Sequence, residues 1–154
     1  MKTQGKIKKL IKEYLEEAKM MQLATCSNDQ PWVCNIWFAA DEDLNIYWFS
    51  AETWRHSKEV LQNPKVAAAI VLPQTPKDKP RGIQLQGMAE VLVKQEGIDK
   101  AISVYQDRIF PKKLIDELME DEETPHKFYK IKPSQIVLFD AVNFGETWRQ
   151  EYNL

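Results

Sequence analysis

The chain has 154 residues, 44% hydrophobic and 29% charged, with five Gly and eight Pro, a composition that predicts one domain over 1–154 with a core of its own. Lys and Arg number 21 against 23 Asp and Glu, a formal net charge of −2, so the field that drives phosphate-backbone binding is absent and nucleic acid is not an expected partner. Cys26 and Cys34 form no CxxC pair, which gives neither a zinc site nor a disulfide framework and points to a reducing cytoplasm.

The basic start runs into Ile11-Lys-Glu-Tyr-Leu-Glu-Glu17 rather than an unbroken apolar stretch, so no signal peptide is expected. The longest apolar run, 66–72, has strand length, and no membrane contact is predicted. Ile7, Leu10, Ile11, Tyr14, Leu15 and Ala18 recur at helical spacing, predicting an amphipathic helix over about 5–20. Short β-rich runs follow at 21–26, 32–39, 45–50, 66–72 and 82–93, separated by turn clusters, and the first three read as two consecutive hairpins. A helix over 53–64 is predicted between the third and fourth runs, capped by Thr53 and stopped by Asn63-Pro64.

After the fifth run, two helical patterns over 98–109 and 112–119 are divided by Phe110-Pro111. The acidic run 120–123 reads as a solvated loop, and 127–132, 135–141 and 147–152 return to β composition. The expected architecture is therefore mainly β with peripheral helices, an α+β fold. A small barrel of six or seven strands would be built from about 21–93 and 127–152, with the helical pair 98–119 outside it. In Trp32-Val-Cys-Asn-Ile-Trp-Phe-Ala39 both alternating positions are apolar, as they are in Ile46-Tyr-Trp-Phe49. The outward apolar face then needs a helix or a second subunit over it, and a homodimer is expected.

Gly-rich nucleotide motifs, H-E-x-x-H, G-x-S-x-G and His/Cys clusters are all missing from the sequence. A cysteine nucleophile would have to use Cys26 or Cys34, both in or beside predicted buried strands where thiols are inert. The informative segment is Ser50-Ala-Glu-Thr-Trp-Arg-His-Ser-Lys58, where a strand gives way to a helix whose first turn holds hydroxyls and cations. Cations there oppose the helix dipole unless an anion is bound, so phosphate would resolve the conflict. A solvated face with its cations in water is the alternative reading. Five Trp in 154 residues is high, and Trp32, Trp37, Trp48 and Trp54 lie in the hairpin region leading into this turn. They suit either a stacked planar ligand or a barrel and dimer core.

An ordered set of pieces carries a resemblance: Met21-Gln-Leu-Ala-Thr25, Gln30-Pro-Trp32, Ile46-Tyr-Trp-Phe-Ser50, Arg55-His-Ser-Lys58, Asn63-Pro-Lys-Val66, Gln84-Leu-Gln-Gly-Met-Ala-Glu90 and Lys132-Pro-Ser-Gln-Ile-Val-Leu-Phe-Asp140. The chain resembles the pyridoxamine 5′-phosphate oxidase-like FMN-binding split barrels, and within them a short bacterial branch rather than a true oxidase. The resemblance implies a six-stranded split β-barrel, homodimeric, with FMN in a groove between subunits. Carried over by position, Ser50, Arg55 and His56 would meet the phosphate, with Thr53, Ser57 and Lys58 close by. Asn35, Ile36 and Trp37 would run beside the isoalloxazine, Gln84 would make a polar flavin contact, and Trp148 and Arg149 would line the pocket.

Two departures argue against pyridoxamine-phosphate oxidation. Cys34 and Ala39 stand where the oxidases place an Arg and a Lys, and Trp148-Arg-Gln-Glu151 replaces their terminal Arg-x-His. The expected activity is an FMN-dependent oxidoreductase acting on a small-molecule substrate with a reduced nucleotide, the flavin carrying the chemistry. The same resemblance leaves room for haem, with His56 or His126 on the iron, for deazaflavin, and for a binding module without turnover.

Overall fold

The computed structural model describes residues 2–154. Helix α1 (Lys2–Glu17) leads into β1 (Met20–Ser27), β2 (Gln30–Ala40) and β3 (Ile46–Ala51), then α2 (Arg55–Gln62), β4 (Lys65–Ile70) and β5 (Arg81–Val91). Helices α3 (Gln95–Tyr105) and α4 (Lys112–Met119) precede the long strand β6 (His126–Asp140), the single-turn α5 (Ala141–Phe144), a 3-10 turn (Gly145–Thr147) and β7 (Arg149–Tyr152). The strands form one antiparallel sheet ordered β3-β2-β1-β4-β5-β6-β7, and a further β3–β6 pairing closes six of them into a ring with β7 outside it. This is the predicted mainly-β fold with peripheral helices.

Local chemistry sets the turns. Asn28 and Asp29 both take positive φ (51° and 58°) between β1 and β2, the mirror-image turn whose twist matches a two-residue hairpin. Between β2 and β3 the Asp41 carboxylate accepts from the backbone N–H of Asp43 (2.9 Å) and Asn45 (3.0 Å), an Asx-type closure.

Alternation sorts side chains to two faces. Inward go Met21 and Leu23 of β1, Ile36 and Phe38 of β2, Ile46 and Trp48 of β3 and their counterparts on β4, β5 and β6, all buried. Ile7, Ile11, Tyr14 and Leu15 of α1 join this cluster, as does Val60 of α2. A second cluster forms outside the ring, where Tyr47, Phe49 and Phe128 lie beneath Ala101, Tyr105 and Ile115 of α3 and α4. The helical pair therefore covers the outer face of β3, while Val33 and Trp37 on the outer face of β2 remain 58% and 44% exposed.

Several boundaries differ from those read in the sequence. Helix α1 stops at Glu17, not at 20, because Met20 is already paired with Trp37 in the sheet. The stretches 127–132 and 135–141 are one strand: β6 runs through Pro133, and the register with β5 slips between Gln86 and Gly87, a bulge that tolerates proline. Helix α3 begins at Gln95 and ends at Tyr105, where Asp107 turns at φ 60° and donates its N–H to the Phe110 carbonyl. Thr53 does not cap α2, which starts at Arg55 with Trp54 in the cap position and no side-chain cap bond.

Candidate functional site

Helix α2 buries an unusual set of residues: His56, Ser57 and Glu59 beside the single apolar Val60. Three polar side chains on the buried face of an eight-residue helix need partners, since an unpaired polar group in the interior is costly. Each has one. The Ser57 hydroxyl donates to the Ala51 carbonyl at 2.8 Å, tying the helix to the end of β3. His56 Nε2 lies 2.9 Å from the hydroxyl of Ser50, which is fully buried. Burial pushes the His56 pKa below its ordinary 6.5, with the Glu59 carboxylate opposing, so the ring is neutral at pH 7.

Glu59 accepts from the Thr25 hydroxyl of β1 (2.5 Å) and from Arg55 Nε (2.8 Å). Those two bonds, the Thr25 hydroxyl first, hold its carboxyl below the usual range. The Arg55 guanidinium carbon sits 4.0 Å over the Trp32 ring, and among the described residues nothing pairs with its two terminal nitrogens. Thr53 and Lys58 are exposed beside it. Trp54, 48% exposed, meets His56 edge-on at 5.9 Å and His126 at 5.4 Å between ring centroids.

A groove of about 450 Å³ crosses the outer face of the sheet, within the size range of small-molecule sites. Strand register makes its floor from two cross-strand rows. One runs Val33, Ala24, Ala67, Gln86, Gln135, and the other Asn35, Gln22, Ala69, Gln84, Val137. The small Ala24, Ala67 and Ala69 in the centre leave the hollow; bulkier residues wall it, and Arg149 of β7 lies at its edge. Gln22 donates to Asn35 across β1 and β2 at 3.1 Å. Asn35 and Gln84 stand in one row three strands apart, about 14 Å at ordinary inter-strand spacing.

The predicted site residues thus fall in two groups. Ser50, Arg55 and His56 gather at the start of α2 with Thr53 and Lys58 on the surface, whereas Ser57 is committed to the Ala51 carbonyl. Asn35 and Gln84 belong to the sheet face, and Trp37 is outward and exposed next to it. Ile36 points inward, 7% exposed, and presents only its backbone to that face. Trp148, 40% exposed, leans on Phe139 at 5.2 Å, so its neighbour Arg149 is the groove residue of that segment. Trp32 belongs to the first group: it lies under Arg55 and across from Thr25, on the opposite sheet face from its neighbour Val33 of the groove.

Sequence reasoning missed Thr25 and Glu59, and also Gln22, Gln86 and Gln135. Strand alternation would have found Gln86, which shares a face with Gln84. A carboxylate four residues after Arg55 on the helix was the signal for Glu59. Both thiols are free, and burial, with the Glu59 carboxylate adding, pushes Cys34 up to about 11, which disfavours its thiolate. Among the described residues no cluster of three or more His, Cys, Asp or Glu is arranged to hold a metal, and no helix is long and apolar enough to cross a membrane.

The family model described as pyridoxamine 5′-phosphate oxidase matches residues 7–139. A UPF0306 protein of Haemophilus ducreyi is 25% identical over 92 residues, covering 59% of this chain and 63% of that protein, so the chain spans about three fifths of that relative's length. A UPF0306 protein of Photorhabdus laumondii is 29% identical over 103 residues, 66% of this chain and 71% of that one. Among solved structures, the conserved hypothetical protein Rv2991 of Mycobacterium tuberculosis superposes with a TM-score of 0.73 at 20% identity, covering 89% of this chain and 86% of that one. The haem storage protein HutZ of Vibrio cholerae gives 0.69 at 20% identity (83% and 91% covered), and an FAD-binding protein of Mesorhizobium loti 0.61 at 18% (80% and 87% covered). At these identities the structural likeness speaks for the fold, while the family model spans most of the chain: this protein belongs to the pyridoxamine 5′-phosphate oxidase family, among its split-barrel members.

Proposed function

We propose that the chain is a cytoplasmic, FMN-binding oxidoreductase that works as a homodimer and passes electrons between a reduced nucleotide and a small-molecule substrate. The observation that carries this reading is the start of α2, where the Arg55 guanidinium lies over Trp32 with neither terminal nitrogen paired among the described residues, next in sequence to His56 and its Ser50 partner. A guanidinium edge, a hydroxyl and an imidazole next to an exposed aromatic surface suit the phosphate end of a planar cofactor. Arg55, His56 and Ser50 would hold the phosphate, with Lys58 and Thr53 at the rim. The sheet groove, floored by neutral amides and small residues with Arg149 as its one charged lining residue, suits a planar heterocycle near Asn35 and Gln84.

Bound FMN would supply hydride and electron transfer; the protein's part is to bind, orient and exclude water, and no side chain at the site needs to act as an acid or base. Exposed Val33 and Trp37 on the sheet's outer face support a second subunit there. The two free thiols suit a reducing compartment.

A haem reading has one specific observation behind it. His126 Nδ1 lies 2.9 Å from the Thr124 carbonyl; the tautomer that donates there leaves Nε2 free for iron, while His56 Nε2 is engaged by Ser50. An absorbance spectrum of the purified protein from about 300 to 600 nm, before and after FMN addition and removal of excess, separates the two. Paired flavin bands that stay with the protein are expected, with Arg55→Glu weakening FMN binding more than about tenfold. A sharp Soret band would put haem first, with loss in His126→Ala but not His56→Ala. A blank spectrum after FMN addition would overturn the flavin reading.

A further inference from the structure

Glu59 is the anomaly of the site, a carboxylate 8% exposed placed beside the very cation a phosphate would need. Its geometry explains what it does there. Arg55 and Glu59 are one helical turn apart, and Glu59 takes Arg55 through Nε alone, at 2.8 Å, rather than through the terminal pair that a forked ion pair would use. The other carboxylate oxygen is fixed by the hydroxyl of Thr25, 2% exposed and lying directly across the β1–β2 ladder from Trp32. One hairpin therefore supplies both the anchor for the acid and the aromatic platform 4.0 Å under the guanidinium carbon. A guanidinium held at Nε with a ring close against its carbon has little rotational freedom left, and its free edge is the bidentate one.

We infer that Thr25 and Glu59 are positioning residues that set Arg55 in advance for a phosphomonoester, presenting its two terminal nitrogens outward while the acid grips only Nε. This rests on the functional reading above and deepens it by assigning roles to two residues outside the predicted phosphate set. Ordering a long side chain before the ligand arrives removes an entropic cost from binding, worth about two- to tenfold in affinity for one such side chain. The relay needs an acceptor at position 59 more than it needs a charge, since the negative charge itself repels the ligand's phosphate.

The test uses the intact chain and four proteins: wild type, Glu59→Ala, Glu59→Gln and Thr25→Val, each checked for cooperative thermal unfolding. FMN affinity is measured by quenching of flavin fluorescence, and inorganic phosphate serves as a competing probe. In the ligand-free proteins, nitrogen-detected NMR reads exchange of the Arg55 Nε–H with solvent. Slow exchange is expected in wild type and Glu59→Gln and fast exchange in Glu59→Ala. Affinity for FMN should fall about fivefold or more in Glu59→Ala and Thr25→Val, and stay within about threefold of wild type, or tighten, in Glu59→Gln.

Should Glu59→Ala not fold, Thr25→Val carries the test by removing only the far end of the relay. Wild type binding FMN with Glu59→Ala or a folded Thr25→Val within threefold of it would overturn the relay alone, as would Glu59→Gln losing as much as Glu59→Ala. Wild type taking up neither FMN nor phosphate would overturn the functional reading, and this role with it.

Discussion

A Cβ on Gly87 would stand 2.3 Å from the carbonyl oxygen of Lys132 and 2.8 Å from the Cα of Pro133. The contact sits at the slip in register where Gln86 faces Gln135 but Gly87 faces Pro133, leaving Ser134 as the extra residue of the bulge. Because the obstacle is backbone, no rotamer change relieves it.

Gly87→Ala is accordingly expected to cost more than about 2 kcal/mol, since the β5–β6 ladder must separate locally. Gly97 provides the contrast: it lies inside α3 with its nearest neighbour, Leu92 Cδ2, 3.5 Å from a built Cβ. Gly97→Ala should stabilise by about 0.5–1 kcal/mol through the unfolded chain's lost freedom. Urea midpoints of the two variants measure the difference, and equal shifts would contradict it.

The same bulge shows what a sequence conceals. Pro133 reads locally as a strand breaker, so 127–132 and 135–141 look like separate strands, yet the proline is accommodated by a partner strand that happens to carry glycine at the opposing position. That compensation is non-local and leaves no mark within either segment. By contrast the two hairpins, the apolar stripe of α1 and the strand-to-helix turn at Ser50 to Lys58 are set by neighbours in sequence, and they could be read there. Arg55 was legible as a cation at a helix start; Thr25, 30 residues earlier in the numbering, reached the site only because β1 pairs with β2 beneath it. The groove followed the same rule: Gln84 was visible by motif, but the row joining it to Asn35 exists only once four strands are in register.

Helix α1 ends without a glycine cap, and Arg108 takes that place from the far side of the fold. Its Nη2 donates to the carbonyls of Leu15 (2.7 Å), Glu16 (2.7 Å) and Ala18 (3.1 Å), three acceptors left over where the helix stops. The side chain is 13% exposed. Arg108→Met should therefore cost about 2–3 kcal/mol and speed amide exchange through the last turn of α1. Lys12→Met, which removes only the exposed pair with Glu42, should stay within about 0.5 kcal/mol. Arg108 Nη1 also pairs with the exposed Glu16 carboxylate at 2.6 Å, and similar losses for the two variants would mean that only this ion pair, and not the carbonyl bonds, contributes.

Val33 and Met88 are 58% and 49% exposed and Trp37 44%, with Val33 and Trp37 on one strand face beside the alanine floor of the groove. If a second subunit covers this face, Val33→Glu should convert a dimer to monomer in light scattering while the far-ultraviolet circular dichroism is unchanged. Dimer at equal strength in the variant would move the interface elsewhere on the chain.

His56 gives a pH dependence whose sign follows from its burial. The ring sits against Ser50 and the edge of Trp54 on a helix that also carries Glu59, and burial holds its pKa below 6.5 despite that carboxylate. The unfolded chain therefore binds a proton at a higher pH than the folded one, so stability is fully present above about pH 6.5 and declines as pH falls toward the folded value. The Glu59 contribution has the same sign in a lower window: it is present above the ordinary carboxylate range, near 4.5, and lost as pH falls through the depressed value. Thermal melts between about pH 8 and 5 should show wild type losing stability below 6.5 and His56→Gln showing a shallower slope there. A phosphate dianion at the site favours the protonated ring, so saturating FMN should flatten the wild-type slope in that window and leave His56→Gln unaffected. A wild-type slope equally steep with and without FMN would mean that His56 does not face the phosphate, whatever else the groove holds.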